Sequence, residues 1–297
     1  MIYSLDAQEL TNAYDVSGND LTAAYDINGD EIFTSSPADY DEYTVANYCS
    51  VSLSPTQGFD IFAGIIFQFL ANSSTVNNKM ATVNSQTQSI INNNISAKSD
   101  HGDSASFTSE YYDPTDSYPL LYVTADTNPA KVYVNRVTQT TSELIKTFTF
   151  PLDKTGYYAA HAYDKAHKIM YMVGYSEQNY QTDDSGNNKV VISKWDMTSL
   201  TQNQDGSYTP DYVSTFERAF IYNMQGQQFR AGMIWIASGG TNTSQYIYAL
   251  DPTDGTALHT INLNTATEVE GLSFLSANEM VVGFQGGTYV KYTFATA

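Results

Sequence analysis

The chain has 297 residues and carries 32 acidic against 13 basic side chains, a net charge of −19. A surface this acidic repels phosphate backbones and anionic headgroups, which argues against nucleic acid and anionic membranes as partners. With 24 Tyr, 14 Phe and 2 Trp, only 15% charged residues and abundant Asn, Ser and Thr, the composition suits strands and turns rather than helices.

No stretch keeps a helical period of apolar residues, and the length suffices for one large all-β domain. The longest apolar run, Ile61 to Leu70, is too short and too broken to span a membrane. Met1 to Leu10 lacks a basic region followed by an apolar run, so no secretory signal is expected. The single cysteine, Cys49, allows no intrachain disulfide and reads as a small buried hydrophobe in an alternating stretch.

In chain order, residues 2–33 come first as a short repeat. Tyr3-Ser4-Leu5-Asp6, Tyr14-Asp15-Val16-Ser17-Gly18-Asn19 and Tyr25-Asp26-Ile27-Asn28-Gly29-Asp30 recur every 11 residues, with Leu10, Leu21 and Ile32 at the same spacing. Ser-Gly-Asn and Asn-Gly-Asp supply turn residues, so each unit is a short strand and a turn. Three such units bury little surface, so residues 1–33 are expected to dock on a partner chain or on copies of the same chain. Asp26 to Asp30 resembles a calcium loop only in its acidity: the Gly is misplaced and no closing Glu follows. Residues 34–43, polar, acidic and containing Pro37, read as a linker.

From residue 44 onward one shape recurs: a polar residue, often a Gly, a short strand, a tight turn and a second apolar strand. It starts at Gln57, Asp103, Ala159, Gln225 and Glu270, at intervals of 46, 56, 66 and 45 residues. Units of roughly 40–50 residues with about four short strands each are the signature of a β-propeller. The expected fold is therefore all-β: a five-bladed β-propeller over residues 44–297, preceded by the small β-repeat segment. In the first unit the outer hairpin is expected to pair Val76–Val83 with Gln88–Ile95. The last unit ends after Thr288–Phe294 and lacks a fourth strand. The alternating run from Tyr43 to Leu53 has no partner nearby, so it is expected to supply that strand and close the ring.

First strands of a propeller line its central channel, so their starting residues converge at one mouth. Gln57, Asp103, Gln225 and Glu270, with His101 and His161 close in sequence, form the candidate ligand-binding set. Asp103 and Glu270 could act as acid and base in glycoside cleavage, with Asp60 in reserve. His101 with Asp103 and Glu270 is the one metal arrangement on offer, and no cofactor motif is present. No nucleophile elbow, phosphate loop, zinc helix or dinucleotide fingerprint occurs, which favours binding over catalysis. Tyr111, Tyr112, Tyr118, Tyr157, Tyr158, Tyr175 and Tyr180 fall in or beside loops, where rings suit stacking against sugars.

The tandem Ala-Tyr-Asp-Val-Ser-Gly-Asn-Asp and Ala-Tyr-Asp-Ile-Asn-Gly-Asp-Glu-Ile-Phe units resemble N-terminal segments of structural proteins of tailed bacteriophages and prophages. That resemblance covers residues 2–33 and implies a tail-fibre-like or other virion protein, made in the bacterial cytoplasm. Its N-terminal segment would bind other virion proteins, and its C-terminal domain would attach to the host. The remainder resembles five-bladed sugar-binding and glycosidase propellers in architecture alone. Through Gln225-Gly226 and Glu270-Gly271 before an apolar strand it is also similar to glutaminyl-cyclase-like propellers. No catalytic residue transfers on that basis. The function expected is thus a virion host-attachment protein whose propeller binds a surface glycan or another virion protein. The alternative is a propeller glycoside hydrolase working at the channel mouth.

Overall fold

The computed structural model describes residues 23–25, 31–34, 38–72, 75–125, 127–179 and 186–296. Strand β1 (Ala23–Tyr25) pairs antiparallel with β2 (Glu31–Thr34), Ala24 opposite Phe33. β2 falls in the third 11-residue unit and β1 at the boundary between the second and the third; residues 1–22 lie outside the described residues. Strand β3 (Ala38–Ser50) then runs ahead to a partner at the far end of the chain.

The rest is a series of antiparallel meanders. The first holds β4 (Phe59–Phe62), β5 (Ile65–Asn72), β6 (Thr75–Asn84) and β7 (Ser89–Ser96). The second holds β8 (Ala105–Phe107), β9 (Leu121–Ala125), β10 (Ala130–Val137) and β11 (Ser142–Phe150). One helical turn, α1 (Leu152–Thr155), leads to β12 (Tyr157–Asp164), β13 (Ile169–Tyr175), β14 (Lys189–Gln202) and β15 (Tyr208–Ala219). Next come β16 (Met224–Arg230), β17 (Met233–Ser238), β18 (Tyr246–Leu250) and β19 (Ala257–Asn262). Last are β20 (Val269–Ser276), β21 (Glu279–Phe284) and β22 (Thr288–Thr296), with β3 as fourth strand.

The expected closure is present. β3 pairs antiparallel with β22, from Ser50 opposite Thr288 to Ala38 opposite Thr296. The strand begins six residues before the expected boundary at 44, so residues 38–43 belong to the sheet and not to a linker. Tyr40 is the reason. Its ring is 5% exposed, packs edge-on to Trp235 and Phe294, and its hydroxyl donates to Ala277 O at 2.9 Å. The outer hairpin of the first meander also forms, with Val83 opposite Ile90 and Met80 opposite Ile95.

One departure concerns the second and third meanders. A parallel pairing of Phe148 with Tyr208 merges them into one eight-stranded sheet. The cause is the length of the β14–β15 hairpin, which runs past Trp195 to Gln202 and returns from Tyr208. Its tip reaches β11, where Thr149 Oγ1 donates to Ser207 Oγ at 3.2 Å and the Lys146 ammonium lies over the Tyr208 ring.

The second strands explain the packing. Each is buried on both faces, so alternate residues serve different cores. Ile66 packs with Phe59, Val281 and Tyr289, while Phe67 packs with Phe107 and Leu121. Leu121 and Val123 share that second core, whereas Tyr122 joins Val132, Met170 and Trp195. Met172 stays with Trp195, while Tyr171 and Val173 join Ile234 and Ile236. Trp235 and Ala237 join Met280, Val282 and Tyr40, and Val281 returns to the core of Ile66. Each meander is therefore sandwiched between its neighbours, the last against the first. The fold is all-β and propeller-like.

Glycines let the first strands meet at the centre. A Cβ on Gly226 would lie 2.5 Å from Gly271 Cα, and one on Gly58 would lie 2.6 Å from the carbonyl oxygens of Gly102 and Asp103. No side chain larger than hydrogen fits there without moving backbone.

Tyr40→Ala is expected to cost about 3 kcal/mol, by the cavity it leaves and the hydrogen bond it loses. Val45→Ala on the same strand, at a position 55% exposed, should stay within about 0.5 kcal/mol. Denaturant midpoints measure both. Equal, small effects would contradict the placement of Ala38–Tyr43 in the folded sheet.

Candidate functional site

The residues at the entry to the first strands gather as an acidic mouth. Gly58 N–H donates to Gly102 O at 2.9 Å, which sets half-buried Gln57 beside Asp103. The contact of Gly226 with Gly271 likewise sets Gln225 beside Glu270. Asp103 Oδ1 lies 3.5 Å from His101 Nε2. Glu270 is only 3% exposed. Burial drives its carboxyl well above the ordinary range, and the nearby carboxylates Glu268 and Asp103 push it further in the same direction.

Glu268 is the member that sequence reasoning passed over. Its Oε1 accepts from Gln225 Nε2 at 3.2 Å and its Oε2 from Thr241 Oγ1 at 2.6 Å. It stands two residues before Glu270, the strand period, so the alternation Glu-x-Glu was the signal available.

His161 is not at this mouth. It is fully buried in the middle of β12, its Nδ1 2.5 Å from Thr124 Oγ1. The same hydroxyl oxygen accepts the His161 backbone N–H at 3.0 Å. Nε2 has no hydrogen-bond partner among the described residues. Burial pushes the ring's pKa down to about 3, so it is neutral at physiological pH.

Around it the axis is filled. Ser104 Oγ lies 2.9 Å from His161 O and 2.8 Å from Gln227 O, and accepts from Gln227 N–H at 3.2 Å. The expected polar channel is thus plugged below its mouth by Ser104, His161 and Gln227. Among the described residues no group of three or more His, Cys, Asp or Glu side chains is placed to hold a metal. His101 engages Asp103 while Glu270 is buried, so the arrangement of those three around a cation is not formed.

The loop tyrosines divide. Tyr118 and Tyr175 are core residues, the first against Phe67 and the second accepting the Met224 N–H on its hydroxyl at 2.6 Å. Tyr111 and Tyr112 are exposed, with the Arg136 guanidinium 5.0 Å from the Tyr112 ring centre. Tyr157 and Tyr158 are partly exposed, and Tyr180 lies outside the described residues.

The two buried groups carry opposite pH signatures. His161 is held below its ordinary pKa of 6.5, so its contribution to stability is complete above pH 6.5 and is lost as pH falls toward 3. Glu270 is held above its ordinary value of 4.5, so its contribution is complete below pH 4.5 and is lost as pH rises through the raised value. His161→Gln should therefore lessen the fall of melting temperature between pH 6.5 and 4. Glu270→Gln should raise melting temperature at pH 8 relative to the parent and leave it unchanged at pH 4. Parallel melting curves across pH for parent and both variants would contradict these placements.

No protein-family model matches the chain, and no curated protein matches it. Among solved structures it is similar to the crystal structure of Myxococcus xanthus glutaminyl cyclase, with a TM-score of 0.54 and 10% identity. The likeness covers 86% of this chain and 98% of that one. At that identity it speaks for the fold alone.

Proposed function

We propose that the chain is a five-bladed β-propeller, the eight-stranded sheet being two blades bridged at Phe148 and Tyr208. Two features support this: the cores that pass from meander to meander and back to the first, and the closing pair β3–β22. We propose further that it serves as a non-enzymatic recognition module of a tailed-phage particle. Residues 1–33 would dock on other virion proteins, and the propeller's acidic mouth would bind a host surface glycan. The 11-residue repeat motivates the virion assignment, which places the protein in the particle after synthesis in the bacterial cytoplasm.

One observation carries the choice of binding over catalysis. A general acid must come within about 3 Å of the bond it protonates, and Glu270 is 3% exposed. Gln57, His101, Asp103 and Gln225, by contrast, keep partial exposure and offer donors and acceptors to hydroxyl groups. The expected result is binding on an array of bacterial surface glycans, weakened about tenfold or more by Asp103→Ala with Gln225→Ala. Absence of the chain from a purified virion, by mass spectrometry or cryo-EM, would overturn the particle assignment. Retention of full glycan affinity in the double variant would overturn the mouth as the binding site.

The hydrolase reading has a specific point in its favour: the buried Glu270 carboxyl, its pKa pushed up, stands near the partly exposed Asp103, and two carboxyls whose environments hold their pKa values apart are the pairing used for acid–base cleavage. If the protein depolymerises capsular polysaccharide through this pair, Glu270→Gln should lower the rate by about a hundredfold or more. Activity that survives that substitution unchanged rules the pair out.

A further inference from the structure

A second concavity lies at the other end of the first strands. β4, β8 and β16 finish there at Phe62, Phe107 and Arg230, and a cavity of about 390 Å³ opens between their ends and β20. The polar side chains in its wall are engaged by the scaffold. Asp60, 8% exposed, accepts the Phe107 N–H on Oδ2 at 2.6 Å, and on Oδ1 the Ser273 hydroxyl at 2.5 Å and the Ile61 N–H at 2.8 Å. Lys165 acts on that carboxylate, and Lys165 and Arg230 both have interactions of their own. Gln228 donates from Nε2 to Ala105 O at 2.5 Å and accepts the Ser106 hydroxyl on Oε1 at 3.3 Å. A charged ligand would lose its hydration here without gaining a free counter-charge, and a polyhydroxylated one would meet few free side-chain donors or acceptors.

What the lining leaves open is aromatic. Phe62, Phe229 and Phe274 are partly exposed, and Leu275 beside them is 36% exposed. Each ring is held by another ring. Phe62 lies 5.4 Å from Phe107 at 53° between planes, and Phe274 lies 5.1 Å from Trp235 at 61°. Phe229 stacks on Tyr171 at 5.3 Å and 8°. Tyr171 covers one face of Phe229, so the exposed area of that ring lies on its other face and its edge. Rings fixed in this way lose little further freedom when a guest arrives. Stacked or edge-to-face contact with a guest ring adds to the gain from area burial, and an aliphatic guest of similar size forgoes that addition. The cavity's size falls in the usual range for small-ligand sites with apolar walls.

We propose that this cavity binds a small uncharged aromatic molecule, of the phenol or indole kind, between Phe62, Phe229 and Phe274. The proposal depends neither on the acidic mouth nor on the virion assignment, since it needs no glycan and no free charge. A tryptophan or tyrosine side chain presented by a partner protein carries the same kind of ring, so the experiment separates the two sources.

Calorimetric titration of the full chain would use four probes: indole, cyclohexanol, benzoate and the N-acetyl amide of tryptophan. Indole should bind about tenfold or more tighter than cyclohexanol or benzoate, and added salt should leave its affinity unchanged. Phe274→Leu keeps an apolar wall but removes a ring, and should bring indole close to cyclohexanol. Leu275→Glu, at an exposed position where the fold tolerates change, is the second test should Phe274→Leu fold poorly; the charge beside the rings should weaken indole about fivefold or more. Val213→Ala, at a position 50% exposed on β15, is the control and should bind as the parent does. No binding of indole, indole held no tighter than cyclohexanol or benzoate, unchanged binding in both Phe274→Leu and Leu275→Glu, or a preference for the tryptophan amide over indole would each overturn the proposal.

Discussion

The constraint on which everything else depends is that each second strand is buried on both faces. A sheet with two apolar faces must be covered twice, and here the cover on each side is the next meander. Once every meander needs two neighbours, an open row would leave two end faces bare. Joining the last to the first removes both. Val281 performs that joining on one side of β21, packing with Ile66 and Phe59, while Met280 and Val282 on the other side pack with Trp235. The pairing of β3 with β22 then supplies the outer strand that the last meander lacks. Edge closure and core closure thus come from different parts of the sequence and agree.

Convergence of the first strands has a chemical consequence. Backbones that meet at glycine leave little room for side chains, so the axis is filled by short polar groups that satisfy one another. Ser104, His161 and Gln227 form that plug. It lies inward of the acidic end formed by Asp103, Glu268 and Glu270. Burying Glu270 and His161 without an opposite charge destabilises the folded state at some pH, and such expenditure is expected where a surface has a task beyond folding.

Much of the fold was legible because its signals are local. Ile169–Val173 and Met280–Gly283, and Ile65–Leu70 with Gln68 as its one polar residue, read as apolar runs between turn residues, as strands covered on both faces must. The alternation of β3 without a nearby partner pointed to its distant one. What stayed hidden depends on distance in three dimensions. Tyr40 sits in a polar, acidic stretch, and nothing local marks it as the residue that packs against Trp235. The bridge between Phe148 and Tyr208 depends on how far a hairpin extends, which turn chemistry does not set. At the site, the polar residue before each glycine was readable, because close backbone approach demands that glycine. The depth of His161 was not: one position along a strand decides between a mouth and a core, and the sequence leaves that register open.

The central claim is that residues near the start of the described chain and residues at its end are neighbouring strands in a fixed register. The direct measurement is cross-linking of a Thr44→Cys, Thr293→Cys double variant, with Cys49 replaced by Ser. These two positions are opposite one another in the β3–β22 pair, and directly opposed strand residues are close enough for a disulfide. Mild oxidation of the folded protein should link them within one chain, as read by mass spectrometry of unreduced peptides. No intrachain link, or a stronger one from Thr44→Cys to a cysteine at Lys291, would contradict the register and the closed arrangement built on it.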